Sequence, residues 1–146
     1  MINKVEQIIQ AIEARLVKAG IPTVLRFPED YRSIGNRYPM AIIREERQDY
    51  ELTSGQRYQY NLTVTIVLVS DKLRERMKVM NELQVAVFNE LFKDYDLGGL
   101  VLNINPITVN MGMLLSGSDI TATAGFNEAV SFREIQLQML VQDARI

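Results

Sequence analysis

The sequence predicts an α+β fold: a two-layer sandwich in which two helices pack on one face of a mostly antiparallel sheet, in the order α-β-β-β-α-β-β. Three observations predict it. From Gln56 the even positions read Tyr58, Tyr60, Leu62, Val64, Ile66 and Leu68, while the odd ones begin polar at Arg57, Gln59, Asn61, Thr63 and Thr65. Alternation of period two over that length is a strand with one buried face. The stretch from Ala129 to about Gln142 repeats the pattern, with Ile135, Leu137, Met139 and Val141 on one side and Glu134, Gln136 and Gln138 on the other. Third, Val5, Ile8, Ile9, Ile12 and Leu16, and later Leu73, Met77, Met80, Leu83, Val87 and Leu91, recur at the spacing of a helical face. One-sided strands and one-sided helices satisfy each other in two layers.

Each element follows in order. Asn3 to Ala19 reads as the first helix, with Asn3 and Glu6 at the spacing of a capping box. Gly20 ends it and Pro22 prevents its return. Thr23 to Phe27 is a short strand between Pro22 and Pro28, and Glu29 to Tyr38 is a loop with a turn at Gly35-Asn36. Met40 to Ile43 opens the next strand, with Arg44-Glu45-Glu46-Arg47 through Leu52 as its candidate continuation. Thr53-Ser54-Gly55 then turns the chain back, making a hairpin with the long strand. Val67 and Val69 break the polar side of that strand, which implies that both faces are covered near its end. Ser70 and Asp71 offer side-chain oxygens to the first turn of the second helix. Lys93 to Asp96 closes that helix, and Asp96, Leu97, Gly98 and Gly99 form a structural turn in which the glycines supply positive φ. Leu100 to Ile104 and Ile107 to Val109 are strand pieces broken by Pro106. Asn110 to Glu128 has no stable period and reads as a long loop, either functional or disordered.

Composition excludes much chemistry. The 146 residues form one expected domain, 1–146, with no internal repeat. With no Cys there is neither disulfide framework nor thiolate nucleophile, and with no His there is no imidazole base or ligand. A formal charge of −2 argues against the basic face that nucleic-acid binding needs. No apolar run approaches the roughly 20 residues that span a bilayer, and the first residues lack the core of a signal peptide, so a soluble cytoplasmic protein is expected. Asn61-Leu62-Thr63 matches a glycosylation acceptor but lies mid-strand.

The remaining candidates are weighed one by one. Asp94 and Asp96 flank Tyr95, yet no further oxygen ligands stand near in sequence, so the helix-end turn is the better reading. Gly112 and Gly117 have phosphate-loop spacing, but Ser118-Asp119 stand where Lys-Ser/Thr belongs. The serines beside Gly55 and Gly117 lack any base that would activate them. Met77 and Met80 could line an adaptable groove, but at helical spacing they read as core. Arg44, Glu45, Glu46 and Arg47, with Asp49, Tyr50 and Glu51 after them, are either a solvated strand end or the mixed-charge rim of an interface. Met113, Leu114, Leu115 and Asp119 fall in the 110–128 segment, whose apolar residues suit ordering on contact with a partner.

The helix stretch Met80-Asn81-Glu82-Leu83, the run Asp94-x-Asp96-Leu97-Gly98-Gly99-Leu100-Val101 and the order of elements resemble the tail-terminator (tail-completion) proteins of long-tailed bacteriophages, the minor tail protein U type among them. The resemblance implies a structural virion protein without cofactor or catalytic activity. Such a protein forms a ring with copies of itself, commonly a hexamer, on the last ring of tail-tube protein. It ends tube polymerisation and meets the head–tail connector protein. It implies location in the host cytoplasm during assembly and then in the virion tail, with no direct reading of nucleic acid and no membrane contact. It also tips the Arg44-Glu45-Glu46-Arg47 run toward an interface, with the 44–55 hairpin and the 110–128 loop making the neighbour and tube contacts. Two alternatives stay open: another head–tail neck protein, and a small-molecule enzyme or ligand-binding domain whose pocket would lie where Tyr58 and Tyr60 face Asp94 or Asp96.

Overall fold

The structure is a computed structural model and describes residues 3–27, 37–51, 57–72, 74–114 and 130–144. Helix α1 (Lys4–Lys18) starts as its sequence dictates: the Asn3 side-chain oxygen accepts the Glu6 amide proton at 2.8 Å. Only that half of the capping box is used, because the Glu6 carboxylate turns to Arg26 instead. At the far end Gly20 takes φ +98°, its amide donates to Val17 O, and the Ile21 amide donates to Leu16 O. That is a Schellman stop, and Ile21 is buried beside it.

The sheet contains β1 (Thr23–Phe27), β2 (Met40–Glu51), β3 (Arg57–Ser70), β4 (Asn103–Leu114) and β5 (Val130–Ala144), in the spatial order β1-β2-β3-β5-β4. β1 runs parallel to β2 and every other pairing is antiparallel, so the fold is a mixed α+β sandwich with the expected element order. The hairpin of β2 and β3 forms as expected, down to Tyr50 opposite Tyr60 and Glu51 opposite Gln59.

Alternation sends Leu62, Val64, Ile66 and Leu68 of β3, and Ile135, Leu137 and Met139 of β5, to one face, all of them buried. Ile8, Ile9, Ile12 and Leu16 of α1 pack there with Met80, Val87 and Leu91 of α2 (Arg76–Leu91). Each such side chain contributes roughly 1.5–3 kcal/mol by leaving water, so this shared layer dominates the stability of the fold. The opposite face carries a smaller cluster of Leu25, Met40, Val69 and Val130, flanked by Val67 and Phe132. The end of β3 is therefore covered on both sides, as Val67 and Val69 imply. Gly112 lies opposite Phe132, and a β-carbon there would stand 2.5 Å from the ring tip. Arg133 occupies an inward position on β5. It is 2% exposed and donates to Gln84 Oε1 and Asn81 Oδ1 of α2 at 2.6 Å each, so a strand and a helix are tied by a buried guanidinium whose pKa burial lowers.

Several expectations need correction. Ser70 and Asp71 do not cap α2: Ser70 ends β3, its hydroxyl accepts the Lys72 amide, and the helix starts after Glu75 in the left-handed region at φ +52°. The strand claims Ser70 before the helix can use it. Met77 is 58% exposed; the buried row is Met80, Val87 and Leu91, and Met77 falls to its flank in the first turn. Pro106 does not break the fourth strand, because β4 is an edge strand, where a missing amide proton is tolerated, and a register shift between Pro106 and Thr108 absorbs the distortion. Asn110 to Leu114 consequently belong to β4 and not to a loop. The rest of that expected loop, and the Gly35-Asn36 turn, lie outside the described residues.

The second glycine turn is as expected. Gly98 and Gly99 have φ +69° and +88°, preceded by Leu97 at +49°. Gly99 and Val101 amides donate to Asp96 O, while Leu97 and Val101 are buried and anchor the turn to the core.

Candidate functional site

Strands β2, β3 and β5 run on beyond the first turn of α1, so inward-facing side chains near their ends stand beside a helix terminus rather than beneath a helix. Tyr50, Tyr58 and Tyr60 are those side chains, set by the pairings Tyr50 with Tyr60 and Tyr58 with Asp143. The Tyr50 ring lies 4.8 Å from that of Tyr60 and 5.9 Å, edge-on, from that of Tyr58. Tyr60 is 3% exposed, whereas Tyr50 and Tyr58 are 59% and 41% exposed. Together with Asn3, Glu6, Arg26, Glu45 and Asp143 they line an open cavity of about 620 Å³.

Arg26 is the hub of the charged wall. Its position on β1 alternates inward, and its guanidinium donates to both Glu6 carboxylate oxygens at 2.6 and 2.7 Å and to Glu45 at 3.1 Å, with Glu13 at 3.7 Å. Three carboxylates thus share one cation. The hydrogen bonds from Arg26 hold the Glu6 carboxyl below its usual range. Burial, reinforced by the negative charge of Asp143 and by Tyr50, pushes the Tyr60 hydroxyl up to about 12.

The ligand pocket expected where Tyr58 and Tyr60 face Asp94 or Asp96 does not form. Asp94 belongs to the opposite end of α1, where both its oxygens accept from Arg15 at 2.7 and 3.2 Å and one also takes the Gly98 amide. Asp96 offers its backbone carbonyl to the glycine turn. Both are turn residues, in keeping with the structural reading of that segment.

The interface candidates fall in two places. Arg44 is half-buried, and Glu45 to Glu51 are seven consecutive exposed residues on the part of β2 beyond its pairing with β1. Arg44 pairs with Glu46 at 2.7 Å and Arg47 with Asp49 at 2.9 Å, exposed contacts worth ~0–1 kcal/mol each. Tyr50 joins this arm to the cavity. Met113 and Leu114 are the last residues of β4, opposite Ser131 and Val130. Leu115 and Asp119 lie outside the described residues.

Sequence reasoning passed over Arg26, Glu6 and Asp143 as site residues. The one available signal was a charge at an inward position of a short strand, Arg26 among Val24 and Leu25. Among the described residues no group of three or more acidic side chains is arranged to hold a metal ion, and no helix is long and apolar enough to cross a membrane. No protein-family model matches this chain, and a search of curated proteins finds no match either.

Proposed function

We propose that this chain is a structural, ring-forming protein of the tail-terminator kind, which closes with copies of itself on the end of a phage tail tube, stops its polymerisation and meets the head-side connector. The observation that carries this reading is the β2–β3 arm. Glu45 to Glu51 form a strand-paired, exposed extension of mixed charge that, among the described residues, has no strand on its outer edge. A surface of this sort suits a heterologous contact, which closes into a ring when the rotation between copies is right. Its mixed charges fix register more than affinity, which a ring built from identical copies requires. The Leu97-Gly98-Gly99 turn and the element order support the same family reading at the level of fold.

Light scattering coupled to size-exclusion chromatography, over a wide range of concentration and salt, tests it, with micrographs of any large species. The expected result is one discrete ring of about six subunits, since closed cyclic symmetry is what capping a tube demands. Arg47→Glu, which places two like charges beside each other with Asp49, should disperse that ring without lowering Tm. A monomer under every condition, with no rings in micrographs, would remove the reading. Rings indifferent to Arg47→Glu would move the interface off the arm. Another head–tail neck protein would share the assembly logic but would join rings without arresting tube growth.

One observation favours a second reading, a ligand-binding or small-molecule enzyme domain: the tyrosine-walled cavity itself, with polar groups converging on it.

A further inference from the structure

The cavity at the start of α1 has the volume of a ligand site, within the ~300–1,000 Å³ usual for small-molecule pockets. Its chemistry narrows the ligand. Tyr60 forms the floor: its ring is buried, it lines the cavity, and its hydroxyl meets no hydrogen-bond partner among the described residues. Tyr50 and Tyr58 rise from it as exposed walls, their rings nearly perpendicular to each other. Aromatic faces carry negative quadrupole charge and attract cations that come within about 6 Å.

The charges agree with the rings. Among the described residues that line the cavity, the carboxylates are Glu6, Glu45 and Asp143 and the cations are Arg26 and Lys4, three against two. Arg26 is already shared among Glu6, Glu13 and Glu45, and a carboxylate oxygen can accept more than one hydrogen bond. An anion finds little welcome even though a helix begins there: Asn3 occupies the Glu6 amide, and the Glu6 carboxylate sits in the first turn. A purely apolar ligand would displace the water that solvates the carboxylates and replace none of its hydrogen bonds.

We propose that this cavity is a binding site for a guanidinium group, laid flat against the ring of Tyr50 or of Tyr58 above Tyr60 and held by the Asp143 and Glu45 carboxylates. A guanidinium suits it better than an ammonium. It is planar, so it stacks on a ring while its edge donates several hydrogen bonds in a fixed fork. Those donors match the two carboxylates and the unpartnered Tyr60 hydroxyl. The group can belong to a free ligand or to an arginine of a second copy of this chain. The site chemistry is the same in both cases, and it stands whether or not the chain closes into a ring.

The test titrates the full chain with Nα-acetyl-arginine amide and, in parallel, with the neutral isostere Nα-acetyl-citrulline amide and with inorganic phosphate. Tyrosine fluorescence reports directly, because the chain has six Tyr and no Trp. Saturable binding of the arginine probe is expected, about tenfold tighter than that of the citrulline probe, with phosphate inert. Tyr50→Leu and Asp143→Asn should each weaken the arginine probe several-fold while far-UV circular dichroism and Tm stay those of the parent. Equal binding of both amides, no saturation, or competition by phosphate would each overturn the proposal. Weakening only in variants that have also lost Tm would overturn it too. Where the probe binds, assembly names the source. Rings dispersed by the probe indicate an arginine of a second copy, and rings left intact, or an absence of rings, indicate a separate guanidinium-bearing ligand.

Discussion

The two ends of α1 solve one problem in opposite ways. At its C-terminal end, Arg15 meets a single carboxylate, Asp94, in a two-pronged bond and also donates to the carbonyls of Glu90 and Leu91, the last of α2. A cation at a helix C-terminus is favoured by the dipole as well. Asp94 in turn takes the Gly98 amide, so the helix end, the ion pair and the glycine turn form one closed clasp. At the N-terminal end, Arg26 meets three carboxylates and an open cavity walled by tyrosines. Among the described residues the guanidinium pairs with one carboxylate at the first end and with three at the second. The same pair of side-chain types makes a fastener where geometry closes the count and a receptive surface where acid is left in excess.

The sharpest way to break the comparison is to undo the clasp from its backbone. Gly99 holds φ +88°, yet a β-carbon there would find open space. Gly99→Val therefore carries backbone strain alone, without a clash. A β-branched residue in that region should cost about 2 kcal/mol, which lowers Tm by roughly 5 °C in a domain of this size. Thermal unfolding followed by circular dichroism measures it. An unchanged Tm would mean that the turn relaxes freely and the closed end is no fastener.

The glycine turn of the closed end was legible in the sequence, whereas its Arg15–Asp94 ion pair and the open end were not, for a physical reason. Gly98-Gly99 after an amphipathic run, the alternation of β3 and β5 and the stripe of α1 are local signals, each readable within one element. The cavity is assembled from α1, β1, β2, β3 and β5 at once, and only the register of the sheet brings Arg26, Glu45 and Asp143 together. Asp143 illustrates the gap. The alternating pattern appears to the eye to end at Gln142, but β5 continues to Ala144 because β3 keeps pairing with it. The start of α2 failed for the same kind of reason, since Ser70 has good capping chemistry and was taken by the longer strand. The expectation of Tyr58 and Tyr60 beside Asp94 had the tyrosines on the right face and the wrong end of the helix.

A smaller effect sharpens the contrast through charge. Arg15→Met keeps the packing of the stem and removes the guanidinium, so Asp94 loses its partner and the α2 carbonyls lose a donor. Tm should fall by a few degrees at neutral pH, less than for Gly99→Val, because Asp94 keeps access to water. The pH dependence separates charge from packing. Hydrogen bonding by Arg15 holds the Asp94 pKa below its ordinary 3.8, so the folded chain gives up that proton more readily than the unfolded one. The stabilisation is present above 3.8 and is lost as pH falls through the depressed value. The gap between wild type and Arg15→Met should accordingly be level near neutrality and narrow in acid. A gap that ignores pH would make Arg15 a packing residue only.

The smallest effect probes the open end and appears only in alkali. Tyr60 holds its proton to about 12 in the folded chain, chiefly because its ring is buried, while an unfolded chain releases it near 10.0. Between those values the unfolded state has lost a proton that the folded state keeps, so stability falls as pH climbs through that window and is whole below it. Tyr60→Phe removes the titrating group and keeps the ring that packs beneath Tyr50. Near neutrality the two proteins should unfold alike, because the hydroxyl meets no partner among the described residues to lose. From about pH 10 upward the wild type should lose Tm faster than the variant, the other tyrosines being common to both and cancelling in the difference. If the two curves stay parallel, water reaches the Tyr60 hydroxyl freely. The cavity floor would then be wet, and the cation-attracting character of the open end would rest on its carboxylates alone.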